Sequence, residues 1–146
     1  RLLAYDAPIV RWRSRKGNLL GEKSGAVILV VEDDEDVRAL VNATLEDMDY
    51  QVISASDGPS ALEILRGDRH IDLLFTDVVM PGGMSGLQLA KQARNSRPDI
   101  PVLLTSGYNE EFVSAKPAFG DNLPLIRKPF RRRKLGEAIA NLLNQE

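Results

Sequence analysis

The sequence predicts an α/β fold in which a five-stranded parallel sheet carries helices on both faces. Two observations favour this fold class. Five short apolar runs recur along the chain, and between them apolar residues repeat at the three- and four-residue spacing of helices. The runs are apolar at consecutive positions, which is typical of strands buried on both faces of a parallel sheet. Strands that alternate with helices in this way form doubly wound sheets.

The five strands are each predicted from a short run rich in apolar residues. The first run, AVILVV, contains four valine or isoleucine residues, which favour β structure. In chain order the strands are predicted over 26–31 (AVILVV), 50–55 (YQVISA), 71–76 (IDLLFT), 100–106 (IPVLLTS) and 123–127 (LPLIR).

The five helices are each predicted from an apolar stripe or from residues that begin and end helices. Asp57 and the residues after it favour a helix start, and Pro98 favours a helix end. In chain order the helices are predicted with a stripe from Val37 to Met48, from Asp57 to Leu65, from Ser85 to Ser96, around 110–117, and with a stripe from Phe130 to Leu143.

The chain has 146 residues, enough for one domain with a hydrophobic core and too few for two of ordinary size. With 43% hydrophobic and 27% charged residues, its composition is that of a soluble globular protein. The absence of cysteine excludes disulfides and thiolate metal sites. No apolar run approaches the ~20 residues of a membrane span, and no signal-peptide core is present, so we expect a cytoplasmic protein without membrane contact.

The charge is distributed unevenly between the two ends of the chain. Residues 1–25 carry six basic and two acidic residues, a net charge of +4, and the remainder carries 13 basic and 19 acidic residues, a net charge of −6. This break predicts a boundary near Gly25, with a basic N-terminal extension or linker over 1–25 and one domain over 26–146.

Polar residues stand where the predicted strands end. Glu32 and Asp33 follow the first strand, Asp77 follows the third, Ser106 ends the fourth, and Lys128 follows the fifth. Because the carboxyl ends of parallel strands open on the same edge of a sheet, we expect these side chains to meet in one pocket.

The three carboxylates and the lysine predict a site for a phosphoryl group. Carboxylates packed together repel, which raises the pKa of at least one of them, and a hard divalent cation such as Mg²⁺ relieves the repulsion. Lys128 supplies a positive charge for an anion, and Ser106 supplies a hydroxyl donor. Such surroundings suit in-line attack by the Asp77 carboxylate on phosphorus, which forms an aspartyl phosphate.

Each of these residues also has an ordinary structural interpretation. Acidic residues after a strand often cap the next helix or lie in solvent, and we assign a capping or solvated role to Asp34. A single aspartate at a strand end often forms a turn, and a lysine before proline commonly lies on the surface. We assign His70, the single histidine, to a surface loop. The coincidence of so many polar residues at one edge of the sheet favours the functional interpretation.

Four segments resemble, in order, the signature segments of two-component response-regulator receiver domains. They are ILVVEDDEDVR, LLFTDVVMPGGMSGLQL, PVLLTSGY and LIRKPF, and the resemblance spans residues 26–145. It implies a flavodoxin-like sheet with the strand order 2-1-3-4-5. The second and third segments look most like receivers attached to the C-terminus of hybrid sensor histidine kinases.

The resemblance implies a role for each acidic residue of the site. By this resemblance, Asp77 is expected to be the phosphoacceptor, which takes its phosphoryl group from a phosphohistidine of a sensor histidine kinase or a histidine phosphotransfer protein. The resemblance also implies that Mg²⁺ is bound by Asp77, by Asp33 directly, by Glu32 through water and by the backbone carbonyl of Val79. Phosphorylation is then expected to switch a protein-interaction face formed by the last helices.

The resemblance also implies that Ser106 is the switch hydroxyl and that Lys128 is the family's lysine, joined to Pro129 by a cis peptide bond. One position departs from the family pattern. Many receivers carry an aromatic residue three positions before the lysine, where this chain has Leu125, so we expect that face to signal weakly or differently.

The loops beside the site carry two further signals. Val79 and Tyr108 flank the expected path of a hydrolytic water, and neither orients water well, which predicts slow loss of the phosphoryl group. Gly82, Gly83 and Gly86 permit a tight loop with backbone angles that other residues avoid.

The basic run 131–134 at the start of the last helix has two interpretations. It is either a solvated face or a docking patch for an acidic partner, such as the acidic face of a second receiver in a dimer. Direct binding of nucleic acid is disfavoured because the body of the chain is acidic.

Two alternatives to the receiver remain open at this point. A Mg²⁺-dependent phosphatase that acts through an aspartyl phosphate resembles this site, but it needs a second aspartate two residues after the nucleophile, where this chain has Val79. A protein-binding module with a silent pocket is disfavoured because Asp33, Asp77 and Lys128 are all present.

Overall fold

The computed structural model describes residues 25–107 and 123–144. Strands and helices alternate within these ranges as predicted, and the helix predicted around 110–117 lies outside them. The elements are β1 (Val27–Val31), α1 (Glu35–Asp47), β2 (Gln51–Ala55), α2 (Gly58–Arg66), β3 (Leu73–Asp77), α3 (Gly86–Ser96), β4 (Val102–Ser106), β5 (Leu125–Arg127) and α4 (Arg132–Leu143).

The five strands form one sheet in the order β2-β1-β3-β4-β5. Every neighbouring pair is parallel, which confirms the predicted doubly wound fold and its strand order. β3 is the central strand, with β1 on one side and β4 on the other. The carboxyl ends of these strands therefore lie side by side at one edge, where the polar residues were predicted.

Two prolines shorten the predicted strands at their amino ends. β4 begins at Val102, directly after Pro101, and β5 begins at Leu125, directly after Pro124. Proline has no N–H to donate to a neighbouring strand, so Pro101 and Pro124 take part in the pairing only as acceptors, through their carbonyl oxygens.

β3 extends one residue further than predicted and includes Asp77. The cause is a ladder hydrogen bond in which the N–H of Val78 donates to the carbonyl oxygen of Thr105 at 2.9 Å. Asp77 therefore sits on a backbone that is paired on the β4 side, which fixes the direction of its side chain.

Helices cover both faces of the sheet and bury one apolar cluster on each. The first, here called the α2/α3 cluster, joins alternate strand residues such as Leu74 and Leu104 to apolar residues of α2 and α3. The second, here called the α1/α4 cluster, joins the intervening residues such as Phe75 and Leu103 to residues of α1 and α4. None of the helices in the described ranges has the length and hydropathy that a membrane span needs.

Side chains at the amino ends of three helices bind the first free N–H groups. The Asp34 carboxylate accepts from the N–H groups of Asp36 and Val37 at 2.9 and 3.0 Å, which confirms its predicted role as the cap of α1. Asp57 caps α2 and Ser85 caps α3 in the same way. These caps begin the helices close to the carboxyl edge of the sheet.

Candidate functional site

Three acidic side chains meet at the carboxyl edge of β1 and β3. Carboxylate oxygens of Glu32, Asp33 and Asp77 lie within 4.8 Å of one another. Glu32 and Asp77 are 4% and 5% exposed, whereas Asp33 is exposed. The fold thus gathers two buried carboxylates and one that faces solvent, from segments that are distant in sequence.

Lys128 binds the two buried acids. Its Nζ donates to Asp77 Oδ2 at 2.9 Å and to Glu32 Oε1 at 3.0 Å. Its backbone N–H donates to the carbonyl oxygen of Ser106 at 2.9 Å, which ties the residue to the end of β4. The position predicted from sequence therefore places a positive charge directly on the carboxylate of Asp77.

The two residues after Lys128 connect the end of β5 to the core of the sheet. The Lys128–Pro129 peptide bond is cis, as the resemblance implied. Phe130, the next residue, packs edge-on against Phe75 of β3 with ring centroids 6.0 Å apart. This aromatic contact joins the turn after β5 to the strand that carries Asp77.

The pKa of Glu32 is raised, as expected for one of the acids, but the main cause differs from the expected one. Burial is the largest influence, since it penalises the ionised carboxylate, and the charge of Asp77 is the smallest. Hydrogen bonds from the N–H of Asp34 and from Lys128 lower this pKa in part. Repulsion between acids is therefore secondary to desolvation at Glu32.

The pKa of Lys128 is raised as well. Burial alone would lower it, but the hydrogen bonds to Asp77 and Glu32 and their negative charges outweigh burial. The ammonium group is therefore charged at neutral pH, and it offsets part of the negative charge of the site.

Glu32 is held by two contacts that involve α1. The N–H of Asp34 donates to Glu32 Oε2 at 3.0 Å, and Arg38 Nη1 donates to the Glu32 carbonyl oxygen at 2.8 Å. Sequence reasoning missed Arg38. Its position could have indicated this contact. Arg38 lies one turn into α1, the helix that follows Glu32 and Asp33, and a long side chain there points back toward the end of β1.

The other two predicted site residues, Ser106 and Val79, lie at the same carboxyl edge of the sheet. Ser106 is fully buried at the end of β4, and its hydroxyl oxygen has no hydrogen-bond partner within residues 25–107 and 123–144. Val79 lies two residues beyond Asp77, and its side chain is 46% exposed. Its carbonyl remains a predicted metal ligand.

The three glycines near the site act in two different ways. Gly82 and Gly83 have positive φ angles of 90° and 84°, as predicted for a tight loop. Gly86 has no positive φ angle, so the prediction that it is needed for an unusual backbone angle was wrong. A side chain at Gly86 would instead overlap the backbone carbonyl of Asp77.

Two surface predictions can be placed in the fold. His70 is exposed, and its Nε2 lies 2.8 Å from Asp72 Oδ1, as suits a surface residue. In the basic run, Arg132 forms an ion pair with Asp47 at 2.6 Å and Arg133 forms one with Glu137 at 3.2 Å. Half of the run thus has acidic partners within the domain.

The donor set fits a hard divalent cation such as Mg²⁺. Glu32, Asp33 and Asp77 offer only oxygen ligands, and Mg²⁺ is a hard cation that takes one or two carboxylates and keeps several waters. The exposure of Asp33 leaves room for those waters on the solvent side. Together with Lys128, the arrangement can hold a dianionic group against one carboxylate oxygen.

A family model for the response regulator receiver domain matches residues 28–140 of the chain. Among curated proteins, the chain is similar to the sensor kinase CckA of Brucella abortus (strain 2308). The two are 31% identical over 150 residues, which cover 98% of this chain and 15% of CckA. It is also similar to the response regulator receiver protein CpdR of the same strain, at 33% identity over 116 residues that cover 80% of this chain and 95% of CpdR.

The solved structures agree with the sequence relatives. The crystal structure of the receiver domain from the hybrid histidine kinase CckA superposes with a TM-score of 0.67 and 31% sequence identity. The match covers 81% of this chain and 99% of that domain. The chain therefore spans nearly all of CpdR and of the isolated CckA receiver domain, and a small part of the whole sensor kinase.

Proposed function

This chain belongs to the response regulator receiver domain family of two-component systems, and from that premise we propose that Asp77 accepts a phosphoryl group from a phosphohistidine. The observation that carries the proposal is the setting of the Asp77 carboxylate. It ends the central strand, lies with Glu32 and Asp33 in one acidic cluster, and accepts a hydrogen bond from Lys128 at 2.9 Å.

The transfer is an in-line displacement at phosphorus. An oxygen of the Asp77 carboxylate forms a bond to phosphorus while the bond between phosphorus and the histidine nitrogen breaks, and the nitrogen keeps that electron pair. Lys128 offsets negative charge on the phosphoryl oxygens as they arrive, because its ammonium group already lies against the attacking carboxylate. Ser106 offers its buried hydroxyl to the phosphoryl group once the chain around it adjusts.

Mg²⁺ fits the acidic cluster, with Glu32, Asp33, Asp77 and the carbonyl of Val79 as the proposed ligands. When bound, Mg²⁺ supplies positive charge that lowers the repulsion between the carboxylates and an incoming phosphoryl group. The protein's own contribution is to hold Asp77 rigidly on β3, so that little reorganisation is needed before attack.

The test is phosphorylation by acetyl phosphate in the presence of Mg²⁺, followed by mass spectrometry of the intact chain. We expect one phosphoryl group per chain in the wild type and none in Asp77→Asn, because the amide cannot attack phosphorus. Asp99→Asn is the matched control, since Asp99 is an exposed aspartate outside the cluster, and it should label like the wild type.

Two results would contradict the proposal. Equal labelling of Asp77→Asn and the wild type would place the acceptor elsewhere. Continuous release of phosphate from phosphate esters would favour the Mg²⁺-dependent phosphatase, although Val79 stands where that enzyme class needs a second aspartate.

The phosphodonor of this proposal is a sensor histidine kinase or a histidine phosphotransfer protein in the cytoplasm, where ATP-dependent kinases form phosphohistidine. The similarity to CckA supports a receiver attached to a hybrid kinase, and the similarity to CpdR supports a separate receiver protein. Purified candidate donors should transfer phosphate to the wild type within minutes and leave Asp77→Asn unlabelled.

The domain is also proposed to assist the hydrolysis of its own phosphoaspartate, though slowly. Val79 is exposed beside Asp77, and its apolar side chain cannot orient a water molecule for attack. Tyr108, the other residue in this prediction, lies outside the described residues. We expect Val79→Asn to lose its phosphoryl group several-fold faster than the wild type, as measured by decay of the phosphorylated mass. Equal decay rates would contradict this view of Val79.

A further inference from the structure

Thr105 carries a buried hydroxyl that has no evident use in the unphosphorylated domain. The residue lies in β4 and is 2% exposed. Its Oγ1 has no hydrogen-bond partner among the residues that the structure describes. Most buried polar groups in proteins have a partner, because an unmet donor costs free energy, so an exception of this kind calls for an explanation.

The position of Thr105 relates it directly to Asp77. The two residues are register partners in the parallel β3–β4 pair. Side chains alternate along a strand, so Thr105 shares a face with Leu103, which belongs to the α1/α4 cluster. By the same alternation Asp77 shares that face with Phe75 of the same cluster. Thr105 and Asp77 are therefore neighbours on one face of the sheet, whereas Ser106 lies one residue further, past the end of β3.

A second threonine beside Asp77, Thr76, has a buried hydroxyl that does form a hydrogen bond. Thr76 is 0% exposed, and its Oγ1 donates to the backbone carbonyl oxygen of Asp77 at 3.0 Å. Thr76 and Thr105 are thus both buried next to the proposed acceptor. The Thr76 hydroxyl holds the backbone of Asp77, whereas the Thr105 hydroxyl has no bond to any residue that the structure describes.

We infer that the Thr105 hydroxyl donates to the phosphorylated side chain of Asp77. The inference rests on the proposed function, and it adds a second hydroxyl donor to Ser106. Phosphorylation brings additional acceptor oxygens to Asp77, and these give the Thr105 hydroxyl a partner that it does not have among the described residues of the unphosphorylated domain. In this role Thr105 contacts the phosphorylated side chain directly, and it favours the phosphorylated state over the unphosphorylated one.

The test compares Thr105→Val with Thr76→Val, since valine keeps the shape of threonine and removes the hydroxyl. The first readout is the thermal midpoint of the unmodified domain. We expect Thr105→Val to melt at or above the wild-type temperature, because no bond is lost, and Thr76→Val to melt lower. The second readout is the affinity for beryllofluoride with Mg²⁺, a mimic of the phosphoryl group. Thr105→Val should bind it about fivefold more weakly, the value of about one hydrogen bond, and Thr105→Ser should restore binding.

The outcomes separate this inference from the proposed function. Beryllofluoride affinity of Thr105→Val equal to that of the wild type would overturn the inference alone. So would a loss of thermal stability as large as that of Thr76→Val, because it would show that the hydroxyl is already bonded in the free domain. A wild type that neither binds beryllofluoride nor is labelled by acetyl phosphate would overturn the proposed function, and this inference with it.

Discussion

Gly86 is the first residue of α3, and its N–H donates to the carbonyl oxygen of Val78 at 2.7 Å. A Cβ atom at this position would overlap the backbone carbonyl of Asp77. The missing side chain therefore lets the start of a helix pack directly against the peptide that carries the proposed acceptor. Glycine is needed here for space, whereas Gly82 and Gly83 are needed for their backbone angles.

We expect Gly86→Ala to destabilise the domain by about 1–3 kcal/mol, the usual cost of forcing an extra carbon into a packed site. It should also slow labelling by acetyl phosphate, because the overlap is relieved only if the Asp77 peptide or the start of α3 moves. Urea unfolding and the labelling rate measure the two effects.

Gly67→Ala is the matched control for this substitution. Gly67 follows α2, and a Cβ there would meet its nearest backbone oxygen at 3.5 Å, an ordinary contact. Its stability and labelling should stay close to the wild type. Wild-type labelling by Gly86→Ala would show that the close approach has no bearing on the acceptor.

Leu125 marks the main departure of a single residue from the family pattern. Its side chain is half-buried and packs against the α2/α3 cluster, on the opposite face from Ile126 of the α1/α4 cluster. An apolar side chain in that position has no polar group that could move together with the Ser106 hydroxyl. The proposed Thr105 donor lies on the other face of the sheet, where it pairs in register with Ile126. It stays a prediction that this domain signals differently from receivers with an aromatic residue at this position. The structure places that position, Leu125, on the α2/α3 face of the sheet.

Among the helices, α4 begins against the electrostatic preference of a helix. Its N-cap is Arg131, which makes no capping hydrogen bond from its side chain, and basic residues follow it. The amino end of a helix carries a partial positive charge, so cations there are unfavourable. The ion pair between Arg132 and Asp47 offsets this only weakly, since exposed pairs contribute about 0–1 kcal/mol.

We expect Arg131→Ser to stabilise the domain by about 1 kcal/mol, because serine supplies the missing cap and removes a charge. Arg131→Gln separates the two effects, since it removes the charge without a good cap, and it should give a smaller gain. The free energy of unfolding in urea measures both. If Arg131→Ser is less stable than the wild type, the arginine makes a contact that outweighs the cap.

The whole domain is organised around one edge of the sheet. Two apolar clusters fix the helices on the two faces, while the chemistry is confined to residues at the strand ends and the loops that follow them. This separation lets the core hold the strands in register, and it leaves Asp33 exposed at the carboxyl edge.

The sheet, both clusters and the acidic site are built from residues 25–107 and 123–144, and the family match begins at residue 28. Because the family match begins at residue 28, close to the change in net charge near Gly25, we propose that residues 1–25 are an extension or linker and that 26–146 form the domain. Deletion of residues 1–24 should change the free energy of unfolding by less than about 0.5 kcal/mol. Labelling by acetyl phosphate should be unchanged. A large loss of either would contradict the predicted boundary.

Local sequence patterns determined the fold class and the candidate site residues at the strand ends, whereas Val79 was expected as a ligand only from the family resemblance. Consecutive apolar residues define buried strands, and helical spacing defines the layers between them, because both patterns depend only on neighbours in the chain. Parallel strands that alternate with helices must place their carboxyl ends together, so the sequence predicts that Asp77, Glu32 and Lys128 meet at one edge of the sheet. The proline effects on β4 and β5 shifted the boundaries without changing the order of the elements.

Tertiary structure alone decided the properties that depend on contacts between distant segments. Burial, more than the neighbouring charges, raises the pKa of Glu32, because the side chain is enclosed by segments far from it in the chain. The space that Gly86 must leave open and the unmet hydroxyl of Thr105 follow from how α3 and β4 pack against β3. Such effects depend on distances of a few tenths of an ångström between residues far apart in sequence, and a one-dimensional pattern carries no information at that resolution.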